Sequence, residues 1–194
     1  MKKTLLLIAF LLVTQFVSAQ FDFLDPYRKA TIVFKDGIEK TGEAKFISGD
    51  RIKFKETEKS KAVKLNYETV DKIIISQTTY QYRTIKRKRK PNLFEIVRDG
   101  KLTVFSFTRD MPGSHSPGNS NMNFGESFEF FYVARKGETQ LTDLELDRLS
   151  AKRFHKAATV YFKDCPLLVE KINTKEFKRD NFLEIADFYN NNCQ

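Results

Sequence analysis

The chain is poor in the residues from which active sites are most often built. Among its 194 residues there are two histidines and two cysteines, His115, His155, Cys165 and Cys193. A zinc site needs three or four Cys, His or carboxylate ligands at set spacing, and this inventory does not supply them. No glycine-rich phosphate loop of the Walker or dinucleotide type occurs, so no cofactor is expected. A redox pair keeps its thiols two residues apart, whereas these cysteines are 28 apart.

Long apolar runs are also missing. The one candidate, Leu5–Val13, follows Lys2 and Lys3 and precedes Val17-Ser18-Ala19. It falls short of the roughly twenty apolar residues that span a bilayer. Positive start, short apolar core and small-residue end are the parts of a secretory signal, which places residues 1–19 outside the fold. The expected destination is periplasmic or secreted, with no transmembrane span after cleavage. No cysteine follows the cleavage site to carry a lipid.

What is abundant is positive charge. Thirty-four Lys and Arg face twenty-five Asp and Glu, for a formal net charge of +9. Signal cleavage removes Lys2 and Lys3 and no acid. The charge is concentrated at Lys86-Arg87-Lys88-Arg89-Lys90, ahead of Pro91. Adjacent like charges must be solvated or met by an anionic partner. Acidic glycan, lipopolysaccharide phosphate or a lipid headgroup suits an exported protein, and nucleic acid suits it less well. Arg83 is a supporting candidate on the preceding strand. The plainer alternative is a lysine-rich edge that discourages strand pairing.

Residues 20–141 read as a β-rich region. Ala30–Lys35, Ile38–Ile47, Arg51–Lys55, Val63–Leu65 and Ile73–Ile75 are short strands rich in β-branched and aromatic residues. Asp36-Gly37 suits a tight hairpin, and Gly42 sits where a bent strand would need a glycine. Five strands in about fifty residues suit a small bent antiparallel sheet or an SH3-like or Sm-like barrel. Further strands follow at Tyr80–Ile85, Leu93–Val97, Leu102–Phe107, Phe128–Ala134 and Gln140–Leu141, with a second Asp-Gly at Asp99-Gly100. Residues 108–126 form a polar loop.

From Thr142 the apolar period lengthens towards 3.6. Thr142-x-x-Glu145 is a capping-box pattern, and Leu146, Leu149, Phe154, Ala158 and Tyr161 make a helical stripe. Pro166 suits the first turn of a new helix, with Leu168 and Ile172 on one face. Asn181-x-x-Glu184 is a weaker cap before a last helix carrying Phe182, Ile185 and Tyr189. The expected fold class is α+β, with residues 142–194 packed as helices on the sheet. Two helices of nine or ten residues run roughly 14 Å out and 14 Å back. That return brings Cys193 to Cys165, and a structural disulfide explains both.

Tyr161-Phe162-x-Asp164-Cys165-Pro166, then Ile172, Phe177 and Tyr189-Asn190 near Cys193, form a distinctive run. With Ile32-Val33-x-x-Asp36-Gly37, Gly42, Gly100-Lys101-Leu102-x-Val104 and a signal ending Ser-Ala-Gln, it resembles uncharacterised secreted proteins of Bacteroidetes-type bacteria. The resemblance implies export, a β-rich domain and a helical C-terminus, and it implies no activity.

Catalytic candidates are thin. His155 lies beside Arg153 and Lys156 on a helix, where a structural role is the ordinary one. His115, between two serines of the polar loop with Asp110 nearby, is the only residue worth naming for a hydrolase. It lacks the rigid turn on which a serine nucleophile is held. Asn119-x-Asn121-x-Asn123 with Glu126 lacks the leading carboxylates of a calcium loop and has Phe124 where glycine is needed. The leading expectation is therefore a non-catalytic structural or interaction domain of the cell envelope. A binder of anionic polymers or headgroups comes next, and a hydrolase with an unrecognised site last.

Overall fold

The computed structural model describes residues 26–47, 50–111, 126–144 and 151–193. Residues 1–19, where a signal is expected, the 112–125 stretch with His115 and its asparagines, and Glu145, Leu146 and Leu149 lie outside the described residues. Among the described residues ten strands precede three helices. They are β1 (Arg28–Phe34), β2 (Glu39–Ile47), β3 (Arg51–Lys55), β4 (Val63–Leu65), β5 (Val70–Ile75), β6 (Thr78–Ile85), β7 (Asn92–Arg98), β8 (Leu102–Met111), β9 (Glu126–Arg135) and β10 (Gln140–Leu141). The helices are α1 (Ala151–Tyr161), α2 (Pro166–Asn173) and α3 (Phe182–Asn192), with a 3-10 turn at Arg179–Asn181. The α+β class expected from the sequence is the class observed.

Nine strands follow one antiparallel path, β4-β3-β2-β1-β5-β6-β7-β8-β9. In the first five, β1 sits between β2 and β5, an order that a small barrel would also have. The path instead runs on from β5 into β6, and β4 pairs only with β3. Of the two architectures the sequence allowed, the open, bent sheet is therefore the one present. Alternation places Ile32, Ala44, Ile52, Phe54, Ile73 and Ile75 on one face, where they form the core of the first half. Gly42 permits the tight packing there: a Cβ on it would stand 2.1 Å from the Lys55 carbonyl oxygen. A glycine in a strand interior marks such a close backbone approach.

The second half has a core on each face. On one, Phe94, Phe105, Ala134 and Leu141 are buried together. β10 lies over this side, pairing parallel with β6 through Gln140↔Thr84 and Leu141↔Ile85. Thr142 then exchanges two backbone hydrogen bonds with Val133 of β9, at 2.7 and 3.0 Å. That isolated bridge already uses the Thr142 N–H that a capping box with Glu145 would need. The chain from 140 to 142 thus ties β6 to β9 across the sheet.

The opposite face carries Leu102, Val104 and Val133, which meet Phe154, Ala158, Phe162, Leu168, Ile172, Ile185, Ala186 and Tyr189 from the helices. These side chains recur at three- and four-residue intervals along each helix, so each presents one apolar stripe to the sheet. Pro166 opens α2 as expected. Asn181 stands at the N-cap of α3 as expected, with its Nδ2 donating to Glu184 at 3.2 Å, but its Oδ1 accepts from the Lys178 N–H of the 3-10 turn at 3.2 Å instead of from the helix backbone. Cys165 and Cys193 are joined, with Cα atoms 5.4 Å apart, and both are buried.

Candidate functional site

The basic run forms the connection between β6 and β7. Lys86 N–H donates to the Leu141 carbonyl at 2.8 Å and Lys88 N–H to the Ile85 carbonyl at 2.9 Å, so the turn is pinned to β10. Arg87 takes φ +72°, a left-handed conformation that glycine or asparagine adopts more readily. All five residues from Lys86 to Lys90 are exposed. No acidic side chain among the described residues pairs with any of them. Five like charges on one tight turn leave a strong local positive field.

Arg83 does not join this group. It is half-buried: its guanidinium donates to the Glu138 carbonyl and lies 5.5 Å from the centre of the Phe105 ring. Burial lowers its pKa, while Asp71 and Glu138 act in the opposite direction. It supports the junction between β6 and the β9–β10 turn.

The run Tyr161–Pro166 with Tyr189, Asn190 and Cys193 resolves into a clamp between helices and sheet. Arg135, the last residue of β9, donates to Asp164 Oδ1 at 2.5 Å and to the Tyr161 carbonyl. Tyr189 donates its hydroxyl to Asp164 Oδ2 at 2.6 Å, and Tyr161 donates to Glu138 Oε2 at 3.0 Å. The Arg135 guanidinium lies 4.7 Å from the Tyr161 ring centre and 5.6 Å from that of Tyr189. Burial pushes the Tyr189 hydroxyl up to about 12, assisted by its hydrogen bond to Asp164. The Tyr161 hydroxyl is pushed up as well, first by burial and then by the Glu138 charge. Both phenols therefore remain donors at neutral pH.

Asn190 completes the clamp. Its Oδ1 accepts from the Leu102 N–H at 2.8 Å and its Nδ2 donates to the Leu102 carbonyl at 3.0 Å, as a neighbouring strand would. Gly100 makes room for it, since a Cβ there would fall 2.7 Å from the Asn190 side chain. Lys101 Nζ donates to the Cys193 carbonyl at 2.7 Å. The two Asp-Gly pairs thus differ in purpose. Gly37 supplies a φ of +85° to a hairpin, and Gly100 supplies space.

Among the described residues, three hollows interrupt the surface near titratable groups, besides one of about 910 Å³ beside Arg28, Glu43 and Glu56. Two of them, about 650 and 390 Å³, share Glu95 on β7, and the larger also reaches Glu129 on β9. Burial raises the Glu95 pKa, with Glu129 adding to it and the Tyr80 hydroxyl opposing. The third, about 560 Å³, lies among the helices, between Phe154, Ile172 and Phe177, with basic residues at its rim. It draws on three separate elements, and no local pattern in the sequence points to it. Among the described residues no group of three or more His, Cys, Asp or Glu could hold a metal ion. His155 is exposed at the rim of the third hollow, whose lining among the described residues contains no Ser, Thr or Cys. No helix among the described residues is long and apolar enough to cross a membrane.

Comparison with protein-family models, with curated proteins and with solved structures finds no match for this chain.

Proposed function

We propose that this is an exported, non-catalytic interaction domain of the cell envelope, and that it engages anionic groups through the Lys86–Lys90 turn. One observation carries the reading: five exposed cations on a single turn have no acidic partner among the described residues, although several acids elsewhere in the fold are paired. A turn that served only to block edge pairing would not need to be pinned to β10 or to hold Arg87 left-handed. Phosphate or carboxylate of an acidic glycan or lipid headgroup supplies the missing charge, and binding should weaken as salt screens it. The disulfide and the N-terminal signal pattern favour an oxidising compartment outside the cytoplasm.

The test is retention of the mature, oxidised protein on immobilised polygalacturonate and on anionic vesicles at low salt. Replacing residues 86–90 with Gln should abolish retention. A control that neutralises five exposed lysines elsewhere (Lys59, Lys61, Lys64, Lys136 and Lys163) should elute at only slightly lower salt than the unmodified protein. Equal losses from the two variants would reduce the effect to net charge and sink the proposal. Retention on vesicles alone would assign the turn to headgroups, and retention on the polymer alone to glycan.

A further inference from the structure

We infer that the hollow among the helices is a binding site for an amphipathic carboxylate of fatty-acid type. Its floor is apolar: Phe154 and Ile172 are each 2% exposed, and Phe177 is half-buried against Phe188 with ring centres 5.6 Å apart. Its rim is cationic, with Lys152 from α1, Lys175 and Lys178 from the segment after α2, and Arg179 from the 3-10 turn. Among the described residues the only acid lining it is Asp180, which pairs with Arg179 at 3.3 Å. Lys152, Lys175 and Lys178 have no acidic partner among the described residues.

An apolar floor under unmatched cations selects for a ligand with an apolar body and one anionic end. The volume of about 560 Å³ falls within the roughly 300–1,000 Å³ of small-molecule sites. A polymer or a folded partner is a poorer match for a hollow of that size. Apolar burial would supply affinity, and the rim charges would set which end faces outward.

Lys175 adds a second, independent sign. It follows the C-terminal residue pair Asn173-Thr174 of α2 and adopts φ +63°, with its N–H donating to the Ile172 carbonyl at 3.2 Å. That position after a helix is usually glycine, or sometimes asparagine, because other side chains crowd the backbone there. Here a lysine is held in that conformation at the mouth of the hollow. Departures from the favoured backbone of this kind concentrate where a side chain has a task. This site is separate from the Lys86–Lys90 turn and does not depend on the reading of that turn.

The same lysine makes a clean test, because Lys175→Gly removes the cation and relieves the backbone together. Calorimetric titration of the oxidised protein would use dodecanoate below its micelle concentration, with dodecanol and acetate alongside. Dodecanoate should bind, dodecanol at least about tenfold more weakly, and acetate not at all. Lys175→Gly should weaken dodecanoate about tenfold while its melting temperature holds or rises, and Lys178→Gln should weaken it similarly. The variant with residues 86–90 neutralised should bind dodecanoate unchanged. Equal binding of dodecanol, or full affinity in both lysine variants, would overturn the assignment. So would an absence of dodecanoate binding at millimolar concentration.

Discussion

Two clusters of charge on this molecule are built on opposite terms. At the end of β9, Arg135, Asp164, Glu138, Tyr161 and Tyr189 answer one another: the Arg135 terminal nitrogen and both phenols find acceptors within the fold, and only the Arg135 Nε stays without one. At the β6–β7 turn, five cations are exposed and none is answered by an acid among the described residues. Their difference separates polar chemistry that holds the protein together from polar chemistry that is left for something else. A half-buried network whose members are satisfied contributes to stability, and removing one partner leaves the others desolvated. An exposed like-charge run contributes almost nothing to it, and slightly opposes it. By this criterion, the residues that make the sequence distinctive at its C-terminal end belong to the scaffold.

The comparison breaks most visibly at the disulfide. Replacing Cys165 and Cys193 by Ala should cost about 3–4 kcal/mol of unfolding free energy on the chain-entropy model. Denaturant titration of oxidised and substituted protein would measure it, and a loss below about 1 kcal/mol would mean that the apolar core and the polar contacts hold the helices without the cross-link. Next comes Asn190→Ala, which strands the N–H and carbonyl of Leu102. A loss of about 2 kcal/mol is expected in the same titration. The smallest effect sharpens the contrast: neutralising Lys86–Lys90 should shift stability by less than about 0.5 kcal/mol while abolishing retention on acidic surfaces. A larger stability change would show that the turn is part of the scaffold after all.

Much of the β architecture was legible because alternation reports directly on which face is buried. β3, β4 and β10 have the bounds that their residue patterns imply. The β8–β9 hairpin runs longer than its apolar stretch, since Thr108, Arg109 and Asp110 continue the pairing opposite Glu129, Phe128 and Ser127. Polar residues extend a ladder through backbone bonds, and side-chain pattern carries no trace of that. Thr142 was misread for a related reason. Its spacing to Glu145 suits a helix cap, but its N–H and carbonyl are claimed by Val133, nine residues back.

The site was legible in part. The basic turn stood out because charge runs are visible without any knowledge of the fold. Arg83 looked like its continuation, and only the proximity of Glu138, 55 residues away, turns it inward. The Asp164-Cys165-Pro166 run was noticeable but mute: the reason for Asp164 lies in Arg135 and Tyr189, one 29 residues before it and the other 25 after it. The hollow near Lys175 left no local mark, because its floor joins α1, α2 and the segment that follows.

The separations along the chain set an order of events. The bond between Cys165 and Cys193 closes over 28 residues, whereas the contacts that seat the helices, Leu102 with Asn190 and Lys101 with Cys193, close over 88 and 92. Short closures lose less chain entropy and form sooner. The helical hairpin can therefore oxidise as a local unit and arrive at the sheet already cross-linked. With only two thiols in the chain, oxidation within one molecule has no wrong pairing to undo.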